Sequence, residues 1–302
     1  MPDVPTRIDS GWPALPFAQW RDTCETLHLW TQVVGKIALA TTPLVNHHWN
    51  VALHLTSRGL ATQALHAGPA RSFTMTFDFV GHRLLIQCSD GGLETLALVP
   101  RTVADFHAAV MDALGRLGIA VRIWTMPVEI EDPIAFERDT VHRQYDPVSV
   151  NAFWRALLSM RPVFEEFRGR FVGKSSPVHF FWGSFDLAST RFSGRRAVSV
   201  PDDPIEREAY SHEVISHGFW PGSGTVGDAA FYAYARPEPE GLAQAIVRPA
   251  QARYEKSFGI FVLPYEHVRT SASPEGELMT FLESSYEAAA RLAQWDRESL
   301  ER

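Results

Sequence analysis

The chain has 302 residues, of which 45% are hydrophobic and 21% charged, and its formal net charge is -7 at pH 7. A globular chain of this length can bury a full core and lies between one large domain and two smaller ones. The negative charge and the absence of any basic block exclude the basic patch that nucleic-acid phosphates require. We therefore expect no nucleic-acid partner.

The cysteine content and the terminal segments bear on location. Cys24 and Cys88 are far apart and lie in periodic apolar segments, which favours two buried free thiols in a reducing cytoplasm over a disulfide framework. Residues 1–10 contain no apolar leader core, and no window approaches about eighteen uninterrupted apolar residues. The sequence thus predicts a soluble cytoplasmic protein with no membrane partner. Its oligomeric state is not predicted.

The first half begins with a helix. Apolar residues at three- and four-residue intervals predict a helix from Pro16 to Gly35. Short β-rich runs separated by glycine occupy 49–99, and their close spacing predicts antiparallel hairpins. Thr102, with Asp105 three residues later, predicts the start of a second helix, which ends near Gly118 and is followed by a strand at about 120–128.

The second half repeats this order. Residues 129–147 are rich in Glu, Asp and Pro and look like a linker. A helix is predicted from Pro147 to Arg168, with a kink at Pro162. Strands are predicted at 177–187, 208–216, 228–235 and 258–264, and a last helix from Ser273 to about Asp296.

The order of elements predicts an α+β fold of two pseudo-repeated modules, each a helix, an antiparallel sheet and a closing helix, packed around an aromatic-rich cavity. The first module spans 1–130, the linker 131–146, and the second module, with the candidate site, 147–302; one compact unit is the alternative. Local matches support a duplication: Val34-Gly-Lys36 resembles Val172-Gly-Lys174, and an arginine stands nine residues after Trp49 and Trp182. The duplication makes Lys36 and Arg58 equivalent to Lys174 and Arg191.

Three familiar motifs fail on spacing or context. Gly169 to Ser175 has three residues between its glycines where a phosphate-binding loop needs four, and it follows a helix. The run from Gly222 to Gly227 fits the dinucleotide fingerprint, but Pro221 precedes it and no room for a helix follows. His217 is one residue too late to share a zinc ion with His212. No nucleotide motif remains, and the cofactor is unidentified.

The stretch from Ser175 to Gly224 concentrates ionisable and aromatic residues within apparent core strands. If 177–187 is a regular strand, Trp182, Ser184 and Asp186 share one face. Tyr210 and His212 share a face of a neighbouring strand. So many ionisable groups inside apolar strands are costly unless they are used, which predicts a polar and aromatic pocket here.

We expect an enzyme that uses acid/base chemistry on a small anionic organic molecule. The predicted catalytic residues are His212, Asp186, Tyr210 and Glu213. Predicted substrate contacts come from cations and from two residues of the pocket wall: Arg191, Arg195, Lys174, Lys36, Arg58, Trp182 and Ser184.

Other interpretations remain open. A divalent metal is one alternative, with His179, His212 and Asp186 or Glu213 as ligands. A non-catalytic carrier or sensor that encloses a small molecule in an aromatic cavity is another. The remaining two interpretations are a buried polar network that only fixes the fold and an interaction scaffold with no sizeable cavity.

Four segments carry a family resemblance: Phe181-Trp-Gly-Ser-Phe-Asp-Leu187, Thr190-Arg-Phe-Ser-Gly194, Tyr210-Ser-His-Glu213 and Gly218-Phe-Trp-Pro-Gly222. In these the chain resembles an uncharacterised bacterial family, domain of unknown function fifty-nine ninety-six. The likeness extends from Trp12 to Arg297. It implies no activity, cofactor or catalytic residue.

Overall fold

The computed structural model describes residues 11–198, 202–223 and 227–302. Residues 1–15 are predicted as a lead-in to the first helix, and residues 1–10 of it lie outside this range. Gly224, Thr225 and Val226, within the run from Gly222 to Gly227, also lie outside it. The helices of the described residues are α1 Phe17–Thr41, α2 Val103–Arg116, α3 Pro147–Gly169, α4 Pro204–Ala209, α5 Tyr265–Thr270, α6 Pro274–Leu292 and α7 Arg297–Leu300. None of these helices is long and apolar enough to cross a membrane.

Two antiparallel six-stranded sheets follow α1 and α3. The strands of the first sheet are β1 His54–Thr56, β2 Gly59–Ala61, β3 Leu65–His66, β4 Ser72–Asp78, β5 Arg83–Cys88 and β6 Leu93–Ala97. Those of the second are β7 His179–Phe181, β8 Asp186–Arg196, β9 His212–Ser223, β10 Gly227–Arg236, β11 Arg253–Glu255 and β12 Ile260–Pro264. The sheet orders are β1-β2-β4-β5-β6, with β3 beside β4, and β11-β12-β10-β9-β8-β7. The predicted α+β class is confirmed.

The two sheets meet edge to edge. Leu53, just before β1, and Phe180 in β7 exchange both backbone hydrogen bonds, each 2.8 Å long. From this junction each sheet extends outward almost in chain order, and a long helix follows it, α2 in the first half and α6 in the second. This is the predicted order of helix, antiparallel sheet and closing helix in each half. One continuous cluster of buried apolar side chains, rich in aromatic rings, runs through both halves.

The residue matches that suggested a duplication are not structurally equivalent. Trp49 precedes β1, whereas Trp182 follows β7. Arg58 lies in the turn between β1 and β2, whereas Arg191 lies inside β8. The repeat is therefore one of element order, and similar spacing in helix-to-strand segments did not identify equivalent side chains.

Helix α1 is longer than predicted because Gly35 does not end it. The helix continues to Thr41, and a Cβ at Gly35 would overlap the indole of Trp182. Glycine at this position allows close packing between α1 and the turn after β7, and Lys36 consequently lies within the helix.

The segment between α2 and α3 also differs from its prediction. The strand predicted at 120–128 does not form, and residues 119–135 are irregular. The linker predicted at 131–146 packs closely against α1. The backbone N–H groups of Gln144 and Asp146 donate to the hydroxyls of Thr26 and Thr23, at 3.2 and 3.1 Å. This irregular chain forms one wall of the cleft described next.

Candidate functional site

A cleft of about 450 Å³ opens between α1, the irregular segment 129–142, the turn between β7 and β8, and the end of β9. Five carboxylic acids, two histidines and several aromatic rings line it, and none of its described lining residues is a lysine or arginine. The polar and aromatic part of the lining comprises Glu25, Glu129, Glu131, Asp132, Asp139, His28, His142, Ser184, Phe17, Phe185 and Trp220. The cleft is therefore acidic.

The turn between β7 and β8 replaces the middle of the strand predicted at 177–187. Phe185 adopts a left-handed backbone conformation with φ of 55°, which is rare for a residue with a bulky side chain. His28 on α1 fixes this turn, because its ring stacks on Phe185 at 4.9 Å and its Nε2 donates to the Gly183 carbonyl at 2.8 Å. Burial lowers the pKa of His28 to about 4, so the ring is neutral and structural.

Asp186, the first residue of β8, lies directly behind the cleft wall and is 4% exposed. The hydroxyls of Ser184 and Tyr232 both donate to its carboxylate. Burial raises the pKa of Asp186 to about 6, although the two hydrogen bonds act in the opposite direction. Ser184 lines the cleft, so its hydroxyl connects the open space to Asp186.

Glu129 is held in the cleft by an amide clamp on the preceding residue. The side chain of Gln32, a fully buried residue of α1, accepts from the Val128 N–H at 2.9 Å and donates to the Val128 carbonyl at 2.8 Å. Glu129 itself is left-handed, with φ of 55°. Its Oε1 lies 2.5 Å from the position that a Cβ on Gly183 would take. Only glycine at that position leaves room for the carboxyl group.

Glu129 is exposed to solvent through the cleft, and the backbone at Gly183 lies close to one side of its carboxyl group. Burial raises the pKa of Glu129 to about 7, and the negative charges of Asp186, Glu206 and Asp203 raise it further. The cleft thus contains a carboxyl group whose pKa is raised toward neutral pH. A second, more acidic carboxyl group lies behind the wall.

A histidine and aspartate pair lines another part of the cleft. His142 Nδ1 donates to Asp139 Oδ2 at 2.7 Å. The other oxygen of Asp139, which is 1% exposed, accepts the backbone N–H groups of Val141 and His142. The carboxylate therefore fixes the ring with its proton on Nδ1, which leaves Nε2 as an acceptor. This is the arrangement in which an aspartate orients a histidine general base.

A tyrosine cluster connects Asp186 to Tyr210. The rings of Tyr232 and Tyr234 stack at 5.9 Å, and the Tyr234 hydroxyl lies 3.2 Å from that of Tyr210. Burial raises the pKa of all three phenols, so they remain neutral donors. Of the predicted site, the structure therefore groups Ser184, Asp186 and Tyr210, with Tyr210 at the far end of the cluster.

The other predicted catalytic residues, His212 and Glu213, and the predicted substrate contact Trp182 lie elsewhere. His212 packs near His47, with their ring centroids 6.2 Å apart. Glu213 forms an ion pair of 2.7 Å with Arg195. Trp182 packs against Gly35 of α1 and donates to the Val51 carbonyl. None of the three lines the cleft.

The predicted anion-binding cations are also dispersed. Arg191 is 3% exposed and lies on the opposite face of the second sheet, with its guanidinium 3.5 Å from the Phe167 ring centroid. Arg58 pairs with Asp78, and Lys36 lies 4.5 Å from the ring centroid of Trp124. Lys174 contacts His47, and Arg195 pairs with Glu213. Asp186 and Arg191 are separated by five positions on one strand, so alternation places them on opposite faces.

The alternative metal ligands do not come together. Both ring nitrogens of His179 are buried without a hydrogen-bond partner, and the ring packs edge-on against Phe181 at 4.5 Å. Burial lowers the pKa of His179 to about 3. Within 11–198, 202–223 and 227–302, no group of three or more His, Cys, Asp or Glu residues could hold a metal ion.

Glu129, Asp139 and His142 were not predicted from the sequence, because they lie in the segment interpreted as a linker. The signal was there: an Asp-x-x-His pair inside an acidic, proline-rich segment too long for an ordinary connection. Tyr232 was not predicted as a site residue either, although its hydroxyl donates to Asp186.

Comparisons with known proteins place the chain in a family but assign no chemistry to it. No curated protein and no solved structure matches the chain. The family described as DUF5996, a family of unknown function, matches residues 12–302, which is almost the whole sequence. The chain therefore belongs to the DUF5996 family.

Proposed function

We propose that the cleft binds a small organic molecule with a protonated amine and promotes acid/base chemistry on it. One observation carries the proposal. Glu129 and Asp186, whose pKa values are raised to about 7 and about 6, lie in and behind a cleft whose described lining contains no lysine or arginine. Carboxyl groups tuned toward neutral pH in a pocket are typical of general acids and bases.

Glu129 is the proposed proton donor and acceptor, because both of its protonation states are populated near neutral pH. Ser184 is the proposed contact to the bound molecule, and its hydroxyl is oriented by Asp186. The pair formed by Asp139 and His142 supplies a second base, through His142 Nε2. Two proton-transfer groups on different parts of the wall allow a proton to be removed from one atom and delivered to another.

The lining determines the charge of the substrate. Carboxylates of Glu25, Glu131 and Asp132 attract an ammonium group, and the Trp220 indole offers a π face to a cation. An anion would meet only like charge in this lining. The amine replaces the anionic substrate expected from the sequence, since the arginines on which that expectation depended lie outside the cleft.

A carrier or sensor of amines is the second candidate function. It is favoured by one feature: Asp186 lies behind Ser184 and does not itself line the cleft, so the more acidic carboxyl group has no direct contact with a bound molecule. Binding without conversion distinguishes this function from the first.

The test incubates wild-type protein with a pooled extract of small polar metabolites and follows every mass over time. We expect an amine to be consumed by the wild type and bound but not consumed by Glu129→Gln. Glu240→Gln, which removes an exposed carboxylate outside the cleft, is the matched control and should act like the wild type. Binding of an amine with no conversion supports the carrier, and selective retention of anions contradicts both candidate functions.

A further inference from the structure

A lysine outside the cleft contacts a histidine base. Lys174 follows α3 in an extended segment along β8, where its carbonyl accepts the Phe192 N–H at 3.0 Å. Its Nζ lies 2.8 Å from His47 Nε2. His47 belongs to a short 3₁₀ turn, Asn46–His48, and is 6% exposed. The amine is thereby fixed against an imidazole.

The hydrogen bonds of His47 define its tautomer. Nδ1 lies 3.1 Å from the Glu208 carbonyl oxygen and 3.3 Å from that of Ala209, so it carries the proton and donates. Nε2 therefore presents its lone pair to Lys174. Burial, followed by the charge of Lys174, lowers the pKa of His47, so the ring is a neutral base.

Aromatic rings and one carboxylate surround the amine. The Nζ of Lys174 lies 4.6 Å from the Phe192 ring centroid and 5.4 Å from that of Trp49. Burial lowers the pKa of Lys174, yet the residue remains exposed along one side, so a small molecule can reach the nitrogen. Glu208 acts on it as a nearby negative charge and also accepts the His47 backbone N–H at 3.0 Å.

We propose that Lys174 is a second reactive centre, a nucleophilic amine that condenses reversibly with small uncharged aromatic aldehydes while His47 moves the proton. The neutral nitrogen attacks the carbonyl carbon, a C–N bond forms, and the π electrons of the carbonyl pass to its oxygen. His47 Nε2 passes the two protons that leave the nitrogen to this oxygen one after the other: the first forms the hydroxyl of the carbinolamine, and the second lets the hydroxyl depart as water while the C=N bond forms. The product is an imine, and no oxidant or reductant takes part.

The surroundings select the aldehyde. Trp49, which is half-buried beside the amine, offers the flat apolar surface of its indole to an aromatic ring, whereas Phe192 is buried beneath the site. The carboxylate of Glu208 repels a negative charge on a bound molecule, which disfavours α-keto acids and glyoxylate. This specificity is independent of the amine proposed for the cleft.

The chain contains only three lysines, which makes the test selective. Intact protein is incubated with benzaldehyde, the imine is trapped with cyanoborohydride, and the labelled lysine is identified by peptide mass spectrometry. We expect Lys174 to be labelled about tenfold faster than Lys256, an exposed lysine and the internal control. Equal labelling of these two lysines, preferential labelling of Lys36, or faster trapping with glyoxylate would overturn the proposal.

Two variants separate the role of His47 from simple exposure of the amine. His47→Asn, whose fold is checked by circular dichroism, should reduce the labelling of Lys174 to that of Lys256. Trp49→Leu keeps His47 and removes the half-buried indole beside the amine, so it should reduce only the preference for benzaldehyde over acetaldehyde. Undiminished labelling of Lys174 in a folded His47→Asn protein contradicts the proton-transfer role.

Discussion

The two faces of β8 use buried ionisable groups in opposite ways. On one face Asp186 receives hydrogen bonds from Ser184 and Tyr232 and lies behind the wall of an open cleft. On the other face Arg191 is enclosed by the rings of Phe167, Phe171 and Tyr286, and its guanidinium donates to the Phe167 carbonyl. Both groups are almost completely buried, and Asp186 adjoins the cleft through Ser184.

This difference shows that burial of a charge does not by itself indicate function. Burial lowers the pKa of Arg191 to about 10 and raises that of Asp186 to about 6, so each charged form is penalised. For Arg191, contacts with aromatic rings and a hydrogen bond to one carbonyl offset this penalty. The carboxyl group of Asp186, in contrast, gains and loses its proton close to neutral pH. The following predictions test that contrast, beginning with the largest expected effect.

Truncation of Arg191 should destabilise the fold without changing the cleft. Arg191→Ala leaves a cavity among three aromatic rings and removes a buried hydrogen bond, so we expect a loss of about 3 kcal/mol in the free energy of unfolding. Arg191→Met fills the same space without charge and should cost much less. Urea denaturation measures both. A change in amine binding by the folded variants would contradict the separation of the two faces.

Replacement of Asp186 should change how stability depends on pH. A carboxyl group with a raised native pKa stabilises the fold below its unfolded pKa, and this contribution is lost as pH rises through about 6. The shift from 3.8 to about 6 corresponds to about 3 kcal/mol at alkaline pH. Asp186→Asn should therefore reduce the fall in unfolding free energy between about pH 4 and pH 8 by about this amount, and the part due to Glu129 should remain. Denaturation curves with the same pH dependence as the wild type would exclude this penalty.

Loss of the amide clamp should affect both stability and binding. Gln32→Ala leaves the Val128 N–H and carbonyl without their partner and creates a small cavity, so we expect a cost of about 2 kcal/mol. Amine affinity should also fall, because Glu129 loses its fixed position. Gln87→Ala, on an exposed site of β5, is the control and should change stability by less than about 0.5 kcal/mol. Retention of full amine affinity in Gln32→Ala would show that the clamp does not position Glu129.

A methyl group at Gly183 should displace the Glu129 carboxylate with little effect on the fold. The new Cβ would lie 2.5 Å from Glu129 Oε1, the end of a flexible side chain. Gly183→Ala should thus reduce amine affinity about tenfold and stability by less than about 1 kcal/mol. Gly115→Ala meets no atom within 4 Å and, as a helical substitution, should slightly stabilise the protein. Isothermal calorimetry at one pH compares the two variants.

Much of the fold could be predicted because it follows from local patterns. Thr102 begins α2 as its spacing to Asp105 indicated, and the alternation in β4 and β5 gave the first sheet. Asp186 and Ser184 were also identified from the cost of polar groups in apolar strands. The prediction of which side chains share a face of the strand at 177–187 is wrong beyond Trp182, because the chain turns there.

The rest of the site depends on tertiary packing that no local pattern specifies. A strand was predicted at about 120–128, and the composition of residues 129–147 suggested a linker. Their position is set by buried amide and hydroxyl contacts with α1, such as those of Gln32 and Thr26. The acidity of the cleft, and the proximity of Glu129 to Asp186, appear only when this segment is folded against the turn at Gly183.

The most direct test of the central claim is the pH dependence of phenethylamine binding to the wild type and to Glu129→Gln, measured by calorimetry. The ammonium group stays protonated throughout, so wild-type affinity should rise as Glu129 ionises through about pH 7. Glu129→Gln should match the wild type at about pH 5, lack this rise, and bind about tenfold more weakly at about pH 8. Parallel curves for the two proteins, or stronger binding of phenylpropionate than of phenethylamine, would contradict an amine site governed by Glu129.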